Sequence, residues 1–220
     1  LSGLAVSFRV VNSLATIGGE TNLSFTGAGE VRVVASQEGN SNWLAAVEVT
    51  NVFTVSKVAA TVSLTNLNHV YDGGSKAAEV STVPAGRTVV LGYEVDGEWS
   101  DKVLPARAGS YPVRATIQEA MYQGVATGTL VIAKADQTLA FPPIANQFIT
   151  NTVVLQATAS SGLAVEFTNR TANAVITGGT NLSFTDNGEC IIVAMQDGGE
   201  NYNPADPITN VFTVSKAAAD

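Results

Sequence analysis

The chain has 220 residues, a formal net charge of −8, 45% apolar residues and only 14% charged ones, with a single His and a single Cys. Nucleic acid is not an expected partner, because phosphate contacts need clustered Lys and Arg, and the apolar content is too high for a disordered acidic tail. No apolar run approaches the roughly 20 residues of a bilayer span; Cys190-Ile-Ile-Val-Ala-Met195 is typical of the longest, so no membrane insertion is expected of this segment.

From the N-terminus, Leu4, Val6 and Phe8 alternate with small or polar residues, as do Val31, Val33 and Ala35, and then Val49, Asn51, Phe53 and Val55. A period of two in Val, Thr and Phe predicts half-buried strands. Gly18-Gly19 and Gly27-Ala-Gly29 supply the turns between them. In the middle of the chain, Asp72-Gly-Gly74 and Asp96-Gly97 punctuate further short runs. Towards the end, Thr138-Leu-Ala-Phe141 predicts a strand broken by Pro142-Pro143, and Val153-Val-Leu-Gln-Ala157 predicts another. No segment carries apolar residues at helical spacing.

The first and last parts are copies. Residues 2–57 align without a gap to 161–216, offset by 159, with 31 identities in 56 positions. A middle part shares only the punctuation: Val55-Ser-Lys57, Ile132-Ala-Lys134 and Val214-Ser-Lys216 close the three segments at intervals of 77 and 82 residues. Each segment also carries a Gly-led strand ending in Ala, at Gly29–Ala35, Gly109–Ala115 and Gly188–Ala194. The organisation read from this is A′–B–A: an incomplete module A′ at 1–57, module B at 58–134 and a complete module A at 135–220. A′ lacks counterparts of residues 135–159, which carry the first two strands of A. The expectation is that the chain is a piece of a longer one or, alternatively, that strands of another molecule complete A′. About seven short strands in some 80 residues, with turns every 8–12, is the pattern of an immunoglobulin-like sandwich. The predicted fold class is therefore all-β, with tandem Ig-like β-sandwich modules in a rod-like array joined by very short linkers.

The middle segment reads Val70-Tyr-Asp-Gly73, Val83-Pro84, Gly92-Tyr93, Ala108-Gly-Ser-Tyr-Pro-Val-Arg-Ala-Thr-Ile117, Tyr122-Gln-Gly124 and Gly128-Thr-Leu-Val-Ile-Ala-Lys-Ala135. It resembles the MBG domain family of bacterial surface proteins, with its Tyr-Asp-Gly opening and Ala-Gly-x-Tyr strand. Gln137-Thr-Leu-Ala-Phe141, Ala159-Ser-Ser-Gly-Leu-Ala-Val165 and Asn201-Tyr-Asn203 are similar to a bacterial Ig-like repeat that often alternates with it. The resemblance implies a stalk or adhesin arm of a secreted or surface-anchored protein, and no shared active site.

No catalytic residues, metal site or cofactor are expected. His69 has no second His and no Gly-x-Ser-x-Gly beside it, so a nucleophile–base pair is not assembled in sequence. Cys190 stands where the other copy has Val31, which points to a small buried apolar site rather than a reactive thiol. Tyr111 is expected to return its hydroxyl to nearby backbone, in the manner of a tyrosine corner, and Trp43, Tyr122 and Tyr202 to cap the core. Phe8, Phe25, Phe53, Phe141, Phe167, Phe184 and Phe212 are expected to hold the sandwiches together. Asn22, Asn169 and Asn181 lie in Asn-x-Ser/Thr sequons, which arise easily in so Asn- and Thr-rich a chain. Lys57, Lys134 and Lys216 sit on last strands, where a Lys–Asn cross-link is not expected.

One cluster stands out. Trp99 lies among Asp96, Glu98 and Asp101, giving a candidate ligand-binding loop: an aromatic platform with carboxylate acceptors for a sugar, or clustered oxygens for calcium. The run lacks the alternating acids and terminal Glu of an EF-hand, and a solvated hairpin loop is the plainer expectation. The expected function is a non-enzymatic extracellular structural or adhesive segment of a large bacterial surface protein, with neighbouring repeat modules as its partners. The alternatives are a module binding host or matrix glycan or protein through the Trp99 loop, and a self-assembling filament subunit, a homopolymer completed by strands from another chain.

Overall fold

The structure is a computed structural model, describing residues 2–217. Every regular element is a β-strand, and no helix of the described residues is long and apolar enough to cross a membrane. The contacts divide the chain into two compact units. One holds the chain up to Leu67 with Ala77–Leu104 and Tyr111–Leu130; the other holds Asn68–Lys76, Pro105–Ser110 and the chain from Val131.

The second unit contains the copy that the sequence reads as complete. A four-stranded sheet orders Gln147–Phe148, Ile208–Ser215, Gly188–Met195 and Glu166–Asn169, and a three-stranded sheet orders Thr152–Val154, Asn181–Phe184 and Ala174–Thr177. Alternation places Asn210, Phe212 and Val214 inside while Val211 and Thr213 face out, as the pleat requires. The inward residues of both sheets, among them Leu182, Phe184, Ile192, Ala194 and Phe212, meet in one core with Phe141 and Leu155. Two sheets burying their apolar faces against each other make a β-sandwich.

Polar ties fasten its first strands to the rest. Asn210, buried, donates to the Pro142 carbonyl at 2.8 Å, and the Asn146 side chain accepts the Thr213 N–H at 2.9 Å. Gln137 is also buried and donates to Gln196 and to the Asn203 carbonyl. Asn210 and Gln137 are thus buried polar groups with partners, as interiors demand, while the Asn146–Thr213 bond lies at the surface.

In the first unit the other copy takes the same backbone path. A three-stranded sheet orders Ser7–Val10, Gly29–Ser36 and Val49–Val55, beside a hairpin of Ala15–Gly18 and Asn22–Phe25. Positive φ recurs at matching positions: Gly3 and Gly162, Gly19 and Gly178, Glu20 and Gly179, Gly29 and Gly188, Gly39 and Gly198. Even the edge-to-face ring pair repeats, Phe25 on Phe53 and Phe184 on Phe212, both at 6.0 Å.

Burial does not repeat. Phe25 is 42% exposed where Phe184 is 8%, and Phe8 is 42% exposed. Phe8 and Phe25 thus do not serve as core residues in the described chain. The reason is visible in the other copy, where Phe167 packs on Phe141 at 5.3 Å and no residue of the first copy corresponds to Phe141. Val31 and Cys190 are both fully buried, so the exchange of Val for Cys keeps a small apolar group at one site.

The middle of the chain forms a five-stranded sheet ordered Glu98–Ser100, Val89–Val95, Gly109–Ile117, Val125–Ala133 and Asn68–Val70, together with a two-stranded antiparallel sheet of Thr61–Thr65 and Glu79–Val83. Val113, Ala115 and Ile117 face in between exposed Pro112 and Arg114 and half-buried Thr116. Tyr93 is buried and its hydroxyl accepts the Ala78 N–H at 2.8 Å; Tyr111 lies half-buried on the neighbouring strand.

Leu182→Ala should destabilise the chain by about 2–5 kcal/mol through loss of a fully buried side chain, whereas Leu23→Ala at the matching half-buried site should cost less than about 2 kcal/mol; chemical denaturation of both variants measures the difference. Burial pushes the Cys190 thiol up, against the opposing contact of the Thr171 hydroxyl. The folded state therefore holds this proton more tightly than the unfolded one. The thiol's contribution to stability is complete below its ordinary ionisation range and declines as pH rises above it. Cys190 should resist a thiol reagent at pH 8 and react fully once the chain is unfolded, which a colorimetric thiol titration reads directly.

Candidate functional site

The Trp99 loop is a two-residue hairpin. Asp96 and Gly97 both take positive φ, 54° and 83°, the geometry of a tight turn matched to strand twist. The turn sets Val95 opposite Glu98, Glu94 opposite Trp99 and Tyr93 opposite Ser100. Tyr93 points into the core, so Trp99, one register position along, lies on the outer face. There it comes to rest by Gly92: a Cβ at that glycine would sit 3.6 Å from the indole. Arg114, the cross-strand partner of Gly92, lays its guanidinium over the indole at 4.9 Å, a cation–π contact. The indole is 45% exposed.

An open groove of about 630 Å³ runs along this face, lined in part by Trp99, Asp101, Lys102, Arg114, Thr116 and Gln118. Two of the four residues singled out from sequence, Trp99 and Asp101, belong to it; Asp96 and Glu98 are not part of its lining. Among the described residues no group of three or more His, Cys, Asp or Glu could hold a metal ion. Sequence reasoning missed Arg114, Thr116 and Gln118. Their alternation on the strand from Gly109 was legible, but their meeting with Trp99 depends on strand order.

A second set of residues recurs at the boundaries between segments. Within the first unit, Val58–Ala59 pairs in parallel with Tyr122–Gln123, with the Val58 N–H on the Met121 carbonyl at 2.8 Å. Within the second unit, Ala135 makes a parallel bridge to Tyr202, with the Ala135 N–H on the Asn201 carbonyl at 2.9 Å. The preceding lysine reaches further along the same loop in both. Lys57 donates to the Glu119 carbonyl at 2.8 Å and Lys134 to the Gly199 carbonyl at 2.7 Å. In each case the acceptor lies three residues before the bridged tyrosine. The recurring apolar-x-Lys ending thus has a geometric use: it ties the end of one segment to a loop of the next.

The tyrosines expected to cap the core sit at these joints. Tyr202 meets Tyr71 edge to face at 5.4 Å, and the Arg87 guanidinium lies 4.4 Å above the Tyr122 ring. The Tyr-Asp-Gly run is read the same way: Tyr71 supplies the ring, Asp72 accepts the Gly74 N–H at 2.8 Å and pairs with Lys76, and Gly73 takes φ 85°. The Lys76 ammonium and the Gly74 N–H hold the Asp72 carboxyl below its ordinary range. Asn201 accepts the Ala108 N–H at 2.9 Å, and Arg107 pairs with Glu200. The loop itself depends on Gly198, where a Cβ would come within 2.5 Å of the Tyr202 carbonyl oxygen. His69 lies half-buried on an edge strand, and Asn169 is engaged with the Thr171 and Ala174 carbonyls, both at 2.6 Å.

The chain matches no curated protein. Among solved structures it is similar to immunoglobulin domains 1–4 of Sidekick-1, at 12% identity over 97% of this chain and 68% of that one, with a TM-score of 0.32. It is similar also to the N-terminal eight Ig domains of Down Syndrome Cell Adhesion Molecule, at 12% identity over 97% and 33% with a TM-score of 0.39. Domains 1–6 of the surface layer protein SbsC match at 12% identity over 99% and 36%, with a TM-score of 0.32. The chain therefore spans about a third of the length of the latter two. The family model for the MBG domain matches residues 60–136. Every regular element of the described chain is a β-strand, and its central residues, 60–136, match the MBG domain family.

Proposed function

We propose that this chain is a non-enzymatic structural or adhesive repeat segment of a large extracellular protein of a bacterial surface, in which successive modules, bounded at residues 57 and 134, act as a stalk or arm. The observation that carries the reading is the repeated joint. The same lysine-to-carbonyl bond and a parallel backbone pairing fasten segment to segment at Lys57 and Lys134. A chain whose modules are tied at each boundary, with linkers too short to act as flexible tethers, transmits load and couples neighbouring stabilities. The MBG match supports placement outside the cell.

Lys134→Met keeps the aliphatic stem but removes the bond to Gly199, and should lower stability by about 1 kcal/mol. More tellingly, it should make the protein unfold at lower pulling force in single-molecule experiments. An unchanged force distribution for both Lys57→Met and Lys134→Met would remove the load-bearing reading.

A second reading, glycan binding, is favoured by the groove in which Trp99 stands beside Asp101, Thr116 and Gln118. Aromatic faces with flanking polar groups suit sugar rings. Binding on a glycan array that is lost in Trp99→Ala and weakened in Arg114→Ala supports it; no binding by the intact chain removes it.

A further inference from the structure

The groove beside Trp99 is cationic in a chain that is acidic as a whole. The chain has 11 Lys and Arg against 19 Asp and Glu, yet Lys102 and Arg114 line this groove against one acid, Asp101. Most other cations are occupied. Among the described residues, Arg9, Arg32, Lys76, Arg87 and Arg107 form ion pairs, and Lys57 and Lys134 bond loop carbonyls. Lys102 and Arg114 form none of these ion pairs, and they share one groove.

We infer that the groove takes a carboxylate-bearing sugar of an acidic glycan, with Arg114 and Lys102 receiving the carboxylate. The inference rests on the glycan reading of the Trp99 face and names the ligand class of that site.

Strand register sets Arg114 for this role. It lies opposite Gly92, the Trp99 indole rests by that glycine, and the guanidinium lies over the indole. A guanidinium stacked on a ring keeps its in-plane N–H donors for a carboxylate, in the fork geometry that binds both oxygens. Trp99 is then a positioning residue for Arg114. The second cation arrives by a serine turn. Ser100 ends its strand, and its hydroxyl accepts the Lys102 N–H at 3.1 Å and the Val103 N–H at 3.2 Å. That turn carries Asp101 and Lys102 into the lining. Glu94, Asp96 and Glu98 of the same hairpin lie outside it.

The rest of the lining separates an acidic sugar from other ligands. An ionised Asp101 accepts hydrogen bonds and donates none. A sugar hydroxyl satisfies it, whereas a phosphate or a run of carboxylates would set like charges side by side. Thr116 and Gln118 follow Arg114 at alternate positions and add partners for hydroxyls, and the exposed Val125 offers apolar surface to the C–H face of a ring. A neutral sugar could use these contacts too, but it would cover two cations without pairing them, which costs binding energy.

The test is isothermal titration calorimetry of the full chain with oligogalacturonate and with sialyllactose. Carboxyl-reduced oligogalacturonate and lactose are the neutral counterparts, and polyglutamate is the peptide control. One acidic sugar should bind, and its neutral counterpart should bind at least about tenfold more weakly, the loss of one charge-assisted bond. Arg114→Gln and Lys102→Gln should each weaken the acidic sugar by a similar factor. Arg114→Lys should recover only part of the loss, since it keeps the charge without the fork. Arg170→Gln, which removes an exposed cation outside the groove, should change nothing. All four side chains substituted are exposed, and circular dichroism checks that each variant keeps its fold.

Which acidic probe binds separates a uronate within a polymer from a terminal sialate. Equal binding of acidic and neutral sugars, or acidic binding unmoved by Arg114→Gln and Lys102→Gln, overturns the inference while leaving the glycan reading in place. No binding of any sugar removes both. Polyglutamate binding as tightly as the better acidic sugar overturns the inference in favour of an acidic peptide.

Discussion

A β-sheet with one apolar face is not a stable object until something covers that face, and this chain holds one covered and one uncovered instance of the same sheet pair. In the second copy, Leu182, Ile192 and Phe212 are sealed by the stretch carrying Phe141, Val153 and Leu155. In the first copy the matching Leu23, Val33 and Phe53 line an open groove. The backbone path is nevertheless the same in both, down to the positive-φ positions. Local turn chemistry and hydrogen-bond register therefore specify the shape of the sheets, while burial of that shape depends on a segment distant in sequence. The hydrophobic term, roughly 25 cal/mol per Å² of apolar surface, separates a framework from a core.

The joints follow from the same economy of parts. The first two segments end in a lysine whose ammonium reaches a loop carbonyl of the following segment, while the next residue or two pair in parallel with that loop. A backbone bridge and a charge-assisted bond at one place restrict rotation at the boundary with very few residues. The aromatic pair Tyr71–Tyr202 and the Asp72 turn add packing at the second joint. Sequence motifs that look like family signatures thus have mechanical meaning: Tyr-Asp-Gly builds a turn that presents a ring, and Asn201-Tyr-Asn203 presents the surface that receives it.

The Trp99 face is arranged differently. It is held by cross-strand neighbours, with the indole lying by Gly92 and under Arg114. One face of the ring is engaged by the guanidinium, so a ligand stacking there meets the arginine first. The acids that drew attention to this loop in sequence are split by the pleat and the turn, and only Asp101 shares the groove with the indole.

The sequence by itself determined the all-β character, the two copies and their offset, the turn positions and the small apolar site shared by Val31 and Cys190, because strand periodicity, glycine-led turns and internal identity are local properties of the chain. Only the tertiary structure decided which side chains meet: the buried Tyr93 hydroxyl on the Ala78 N–H, Lys57 and Lys134 as ties to a neighbouring loop, Arg114 over Trp99, and Gln137 against Gln196. These pairings join residues 15 to 65 positions apart. Strand order and register bring them together, and neither is encoded in the period of two that made the strands themselves legible.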